Sequence, residues 1–188
     1  EAIALFGWRM SMFASGLVTL GGAILIWFVV RDDPSERGYK SFAYASVADK
    51  KALPPVQSLV MVLRERDTWL LFFAAGLSSA PLLVFAGLWG VPYLTQVYGL
   101  ERSQAALLTS TMLLAWAFGG PALGALSDRI GRRKPPYLCA NLCAAVLWGL
   151  FLLVEIPLPL LYPLFAAIGF TSGGLIVGFA FAREANHP

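Results

Sequence analysis

Histidine is almost missing from this chain: His187 is the sole example, and the cysteines number two, Cys139 and Cys143. The sequence also holds no glycine loop of the phosphate-cradling kind, and no acids cluster at a membrane face. The signatures of an enzyme are therefore absent, and no metal and no cofactor is expected. The two cysteines stand four apart inside an apolar run. They share a helix face with no third or fourth metal ligand in reach, which leads us to expect small core residues. Charge is scarce as well, at 13% of residues. No Asp, Glu, Lys, Arg or His falls near the middle of any long apolar run, and Glu155 lies at the end of one.

What the chain has in abundance is apolar side chain. With 58% hydrophobic residues and a mean hydropathy of +0.69, it is too apolar for a soluble domain of this size and reads as an all-α, polytopic membrane protein. A net charge of +3 does not point to nucleic acid, because the cations sit in segments flanking the apolar runs rather than along a basic face with interleaved aromatics. Five runs approach or exceed the roughly 20 residues that cross about 30 Å of hydrocarbon: about Met10 to Val30, Thr68 to Tyr93, Ala105 to Leu126, Tyr137 to Val154 and Leu158 to Phe181. Residues 31–67 form the one long polar segment, with seven Lys or Arg and six Asp or Glu. Within it, Val56, Leu59, Val60 and Leu63 repeat at helical spacing, which predicts an amphipathic helix on the membrane surface over Val56 to Arg66. The opening at Glu1 without a methionine and the loop-like His187-Pro188 ending lead us to expect a piece of a longer protein.

Between the third and fourth runs lies Gly124-Ala-Leu-Ser-Asp128-Arg129-Ile-Gly131-Arg132-Arg133-Lys134, a basic turn with one acid. Gly131 permits the tight reversal, and Pro135-Pro136 stop any continuous helix. This Gly-x-x-x-Asp-Arg-x-Gly-Arg-Arg pattern resembles the cytoplasmic loop motif of the major facilitator superfamily, found between helices two and three and echoed between eight and nine. Gly7-Trp8-Arg9 before the first full run is similar to the approach to the sixth helix in that superfamily, and Arg31-Asp-Asp-Pro34 to the exit into its central loop. The resemblance covers nearly the whole chain and implies a partial fold of that type. Residues 1–30 would hold the last helix of the amino-terminal bundle, 31–67 the central cytoplasmic loop, and 68–188 the first four helices of the carboxy-terminal bundle.

Charge sorting bears on the same point. Successive spans alternate direction, so one side receives the seven cations of the linker, Arg129, Arg132, Arg133 and Lys134 of the turn, and Arg183. The other side receives Arg9 and Arg102. The lopsided division places residues 31–67 and 127–136 in the cytoplasm of an inner-membrane protein. Small residues at Gly120-x-x-x-Gly124, Gly169-x-x-x-Gly173 and Gly174-x-x-x-Gly178 predict close helix approach in lipid, and Pro81 and Pro121 predict bends.

Ser78, Phe85, Trp89 and Gln96 fall on one helical face with Leu82 between them. Thr109, Met112 and Trp116 share another face, as do Tyr162, Phe165, Gly169 and Ser172. Packing between helices, with Trp89 and Tyr93 as an interfacial belt, is the alternative to a solute-lining role. The resemblance, which places helices seven, eight and ten around a central cavity, makes Ser78, Phe85, Trp89, Thr109, Trp116, Phe165 and Ser172 the lining candidates. It also makes Gly124, Asp128, Arg129, Gly131, Arg132 and Arg133 the gating motif, with Asp128 pairing to Arg129 or Arg132. Asn141 is expected to make an interhelical hydrogen bond. Gly119-Gly120-Pro121 is only loosely similar to a glycine-proline antiporter motif and sits on a different helix.

The expected function is secondary transport of a small solute across the bilayer by alternating access, completed by the remaining helices of the same transporter. Gly87 to Tyr93 and Arg183-Glu-Ala-Asn186 are similar to bacterial members, some of which carry organic anions. A transport-inactive membrane binding or scaffold protein is the alternative. An ionisable group at membrane depth is kept only for use, so any coupling residue lies in other helices or the carrier is uncoupled. The topology has a direct test in the full-length protein with Cys139 and Cys143 replaced. Cysteines at Ser46 and Lys134 should resist an impermeant thiol reagent on intact cells while Arg102→Cys is labelled; the reverse pattern would overturn the sidedness.

Overall fold

The structure is a computed structural model that describes residues 2–30, 38 and 55–185. Most of the expected linker, including the Arg31-to-Pro34 exit and Ser46, lies outside the described residues. The chain divides into two compact units, 1–54 and 55–188. Among the described residues the architecture is all-α, and five helices are long and apolar enough to cross a membrane.

The first unit holds α1, Ala2–Val29. Gly7, at φ 73° and ψ 161°, interrupts it, so the apolar span proper is Gly7–Val29. The break separates the opening residues from the span, as the Gly-Trp-Arg sequence suggested, because a positive φ that glycine tolerates ends the i→i−4 ladder.

The second unit opens with α2, Pro55–Arg64, whose Val56, Leu59, Val60 and Leu63 are all exposed. Glu65 is extended, and the Trp69 indole N–H returns to Leu63 O at 2.8 Å, tying α2 to the next helix. That helix, α3, runs from Arg66 to Val97. It is α-helical over Arg66–Val84 and Gly90–Val97, with a π turn at Phe85–Trp89 between. There follow α4, Arg102–Ile130; α5, Lys134–Leu153; α6, Leu158–Ser172; and α7, Leu175–Ala185. The helices outrun the apolar runs at several ends, since a backbone ladder that satisfies itself in hydrocarbon costs nothing to continue into the headgroup region. The final run is one span by length, Leu158–Glu184, but it breaks at Gly173-Gly174, where the helix is replaced by a turn.

Apolar burial drives little association in lipid, so close packing has to come from shape. The glycines of α4 and α6 supply it. A Cβ on Gly119 would strike the Phe170 carbonyl, one on Gly169 the Met112 carbonyl, and one on Gly173 the backbone of Gly119 and Gly120. The two helices therefore touch backbone to backbone. Gly174 of the turn and Gly178 of α7 face α5 instead: a Cβ on Gly174 would lie 2.8 Å from Ala140 Cβ, and one on Gly178 3.0 Å from the Tyr137 ring. Gly124, the second glycine of the expected α4 pair, has nothing within 4 Å of its Cβ position; the α4 contact runs through Gly119 and Gly120. Around this seam Leu82, Leu94, Leu108, Met112, Leu161, Phe165 and Ile168 are fully buried.

One methyl group separates these roles. Gly169→Ala should lower the thermal midpoint of the full-length protein in detergent by several degrees, because overpacking against backbone costs about 1–3 kcal/mol. Gly124→Ala should leave the midpoint unchanged or slightly raised, since alanine is the better helix former. Equal midpoints for the two variants would contradict the seam.

Candidate functional site

The basic turn is built by the C-terminus of α4. Gly131 adopts φ 68°, and its N–H reaches back to Ser127 O at 3.0 Å and Asp128 O at 3.2 Å, closing the helix with a left-handed residue. The reversal brings Arg132 and Arg133 back over the end of α4, and Lys134 starts α5 with Pro135 and Pro136 in its first turn, where a missing N–H does no harm. Within this geometry the partner of Asp128 is Arg133, not Arg129 or Arg132. The Arg133 guanidinium pairs with Asp128, donates to Glu184 Oε1 at 2.9 Å and donates to Ser127 Oγ at 3.2 Å. Ser127 is fully buried, and the Arg133 side chain is 23% exposed. Its hydrogen bonds to Asp128 first and Glu184 second push the guanidinium pKa above its already high ordinary value, so the hub is permanently cationic.

Arg133 thus clips the end of α4 to the end of α7. Sequence reasoning missed Ser127 and Glu184. The buried hydroxyl carries no sequence signal apart from its place beside Asp128. Glu184 was visible as the acid nearest the turn on the same side, because the alternation of spans brings the end of α7 to the face that holds the turn.

The lining candidates separate into three groups. Thr109, Phe165 and Ser172 are buried inside the second unit. Thr109 donates to Ala105 O and Ala106 O, at 3.2 and 3.0 Å, and Ser172 donates to Ile168 O at 2.8 Å, so both hydroxyls are satisfied within their own helices. Phe85 joins Phe165 in an aromatic cluster with Tyr93, Trp148 and Phe151, the rings meeting edge to face at centroid separations of 5.2–6.0 Å. Trp116 is half-buried against this core, whereas Trp89 is 65% exposed. Ser78 lines a groove of about 560 Å³ between α3 and α5, together with Leu77, Pro81, Tyr137, Asn141 and Trp148. The Asn141 amide in that groove donates to Tyr137 O at 2.8 Å within its own helix, rather than across to a neighbour.

The π turn explains why the expected Ser78–Phe85–Trp89–Gln96 face does not stay together. Gly90 N–H bonds Phe85 O, five residues back, so one extra residue is wound into that turn and the later part of α3 is rotated relative to a regular helix. Leu82 is buried before the turn and Gly90 and Leu94 after it, while Trp89 and Gln96 turn outward. Gly90 is where α3 meets α4: a Cβ there would collide with the Thr109 methyl and lie 2.7 Å from Phe85 O.

The probable sulfoacetate transporter SauU of Cupriavidus necator is 31% identical to this chain over 142 residues, which is 70% of this chain and 31% of the relative. The chain thus spans about a third of the length of the curated relative it matches. No solved structure matches it. The model of the Major Facilitator Superfamily matches residues 2–185, taking in the five apolar helices and the clipped basic turn, and the chain belongs to that superfamily.

Proposed function

We propose that this chain is the central part of a secondary transporter that moves a small organic anion across the cytoplasmic membrane by alternating access. In this reading residues 1–30 end the amino-terminal bundle, 31–67 are the cytoplasmic linker, and 68–188 begin the carboxy-terminal bundle; the turn at 127–136 is cytoplasmic. The observation that carries it is the Arg133 clip on a motif-bearing turn, within a chain of that superfamily. The substrate class rests on the sulfoacetate named for the relative, a small dianion. Residues 68–126 and 137–181 hold a single cation, Arg102, at a span end. Recognition of an anion by charge therefore falls to other helices, and this part supplies aromatic surface and hydroxyls, with Ser78, Trp89 and Trp116 the candidates still reachable from outside the packed core.

Purified residues 1–188 in proteoliposomes should take up no sulfoacetate, because a cavity between two bundles has one wall here, and co-expression with the missing helices should restore uptake. Uptake by the piece alone would sink the two-bundle reading. Uptake of neutral solutes but no anions by the full-length carrier would sink the substrate class alone.

The clip gives the gate its test. A carboxylate on α4 and another on α7 share one guanidinium, so the contact can hold a closed cytoplasmic side, and its loss shifts the balance of states toward inward-open. Asp128→Asn keeps shape and removes charge. In the full-length carrier at normal expression it should cut transport by about fivefold or more, with cytoplasmic cavity positions more accessible to thiol reagents, and Glu184→Gln should act in the same direction. Unchanged transport and accessibility in both variants would leave Asp128 as a moderator of repulsion among four cations, an exposed-charge effect of little energetic weight.

A further inference from the structure

At the end of the second unit away from the Arg133 clip, the C-termini of two helices converge on one cavity of about 720 Å³. Its walls are Tyr93, Val97 and Tyr98 from the end of α3, Phe151 to Val154 from the end of α5, and the Glu155-Ile156-Pro157 connection into α6. The last turn of a helix presents carbonyls without intrahelical partners and a partial negative charge, and here two such ends meet. The start of α6 at Leu158 borders the cavity as well, but Pro157 and Pro159 carry no N–H there and Leu160 N–H is taken by Pro157 O at 2.9 Å, so the carbonyls outnumber the free donors. After Val154 N–H takes Leu150 O, at 3.1 Å, the carbonyls of residues 151–153 are the ones that helix geometry leaves over. Glu155 adds a carboxylate, with no cation within ion-pair distance among the described residues. Three aromatic rings complete it: Tyr93 lies 6.2 Å from Tyr98 and 5.6 Å from Phe151, centroid to centroid. No Lys, Arg or His lines the cavity.

Carbonyl oxygens, a carboxylate, tyrosine hydroxyls and ring faces all favour a cation, and rings with a carboxylate suit one that is both charged and partly apolar. A hard metal ion would instead want several carboxylates, and among the described residues no such cluster exists. We propose that this cavity binds an organic ammonium group, with Glu155 as its counter-charge and Tyr93 and Tyr98 as the aromatic wall. It is separate from the lining candidates Ser78, Trp89 and Trp116. Ammonium of this kind reaches a membrane interface either as a free solute or as the headgroup of a zwitterionic lipid, and the shared chemistry is what the wall selects. The Tyr98 phenol is held above its ordinary pKa, first by burial and then by Tyr93, so it stays a neutral hydroxyl beside the ligand.

The full-length carrier, purified and placed in nanodiscs of phosphatidylglycerol alone, provides the test. Choline, but not sodium at equal concentration, should raise the thermal midpoint in a saturable way, as a ligand of the folded state does. Glu155→Gln should weaken choline at least about tenfold, as loss of a charge partner does. Tyr98→Phe should keep the affinity, while Tyr98→Leu lowers it several-fold. In nanodiscs containing phosphatidylethanolamine, native mass spectrometry distinguishes the sources. Lipid retained by the wild type and lost from Glu155→Gln, with choline no longer shifting the midpoint, assigns the cavity to the headgroup; an unchanged choline response assigns it to a free solute. No choline-specific shift in phosphatidylglycerol, or the same affinity in wild type and Glu155→Gln, overturns the proposal, because Glu155 is exposed and its substitution leaves the glycine seam intact.

Discussion

The contact between α4 and α6 at Gly119, Gly120, Gly169 and Gly173 is the constraint on which the rest of the second unit depends. In water, a helix pair this apolar would be driven together by its whole surface. In lipid the tails match the side chains, and what distinguishes one pairing from another is how closely the backbones approach. Removing four β-carbons brings carbonyls and Cα atoms of the two helices into direct van der Waals contact. Once that distance is set, the neighbouring positions have no freedom: Met112 and Ile168 close over the seam, and Phe165 is carried into the ring cluster with Phe85 and Phe151. The buried hydroxyl of Ser172 bonds a carbonyl of its own preceding turn, and Thr109, whose methyl meets Gly90 of α3, does the same.

The two ends of the unit are held by different physics. At the turn, three charged side chains from α4, the turn and α7 meet around Arg133, with both acids more than half exposed. Such pairs are labile in water and salt; they fix geometry more than they add stability. At the other end the rings of Phe85, Tyr93, Trp148 and Phe151 interlock edge to face, and no ion pair is needed to hold them.

What the sequence made legible was whatever depends on composition over long windows. The five spans and their limits to within a few residues follow from hydropathy, because hydrocarbon penalises every exposed backbone group and leaves helix as the one local choice. The reversal at Gly131 follows from a residue type. What it hid depends on single-residue geometry. A regular period put Trp89 beside Phe85, yet the π turn below Pro81 moved Gly90 and Leu94 inward and Trp89 out. Prolines and π turns both recur where helices bend, but nothing in the letters says that a π turn will fall at Phe85–Trp89. Gly120-x-x-x-Gly124 had the right spacing for a seam, and Gly124 does not take part; adjacent Gly119 does. Arg133, rather than the nearer Arg129 or Arg132, pairs with Asp128, because the left-handed Gly131 folds the chain back and turns sequence neighbours away. Hydropathy registers none of these shifts, since they exchange one apolar or basic residue for another.

The break at Gly173-Gly174 ties these observations together. Ser172 and Thr171 bond back into α6, so the helix before the break is closed on itself, and Gly173 N–H still reaches Gly169 O, at 3.2 Å. Beyond it, α7 rests on α5 through Gly174 against Ala140 and Gly178 against Tyr137. The α6 half lies in the glycine seam, while the α7 half packs on α4, where Ile176 meets Gly120, as well as on α5, and reaches the Arg133 clip. A single rigid helix over Leu158–Glu184 would force any displacement at Glu184 into the seam, where Gly169 and Gly173 have no slack. Two segments joined at adjacent glycines let the stretch that holds Gly169 against Met112 and the stretch that carries Glu184 to Arg133 take different directions. The change of direction within the last span thus lies in two adjacent glycines, placed between the seam at Gly169 and the clip at Glu184.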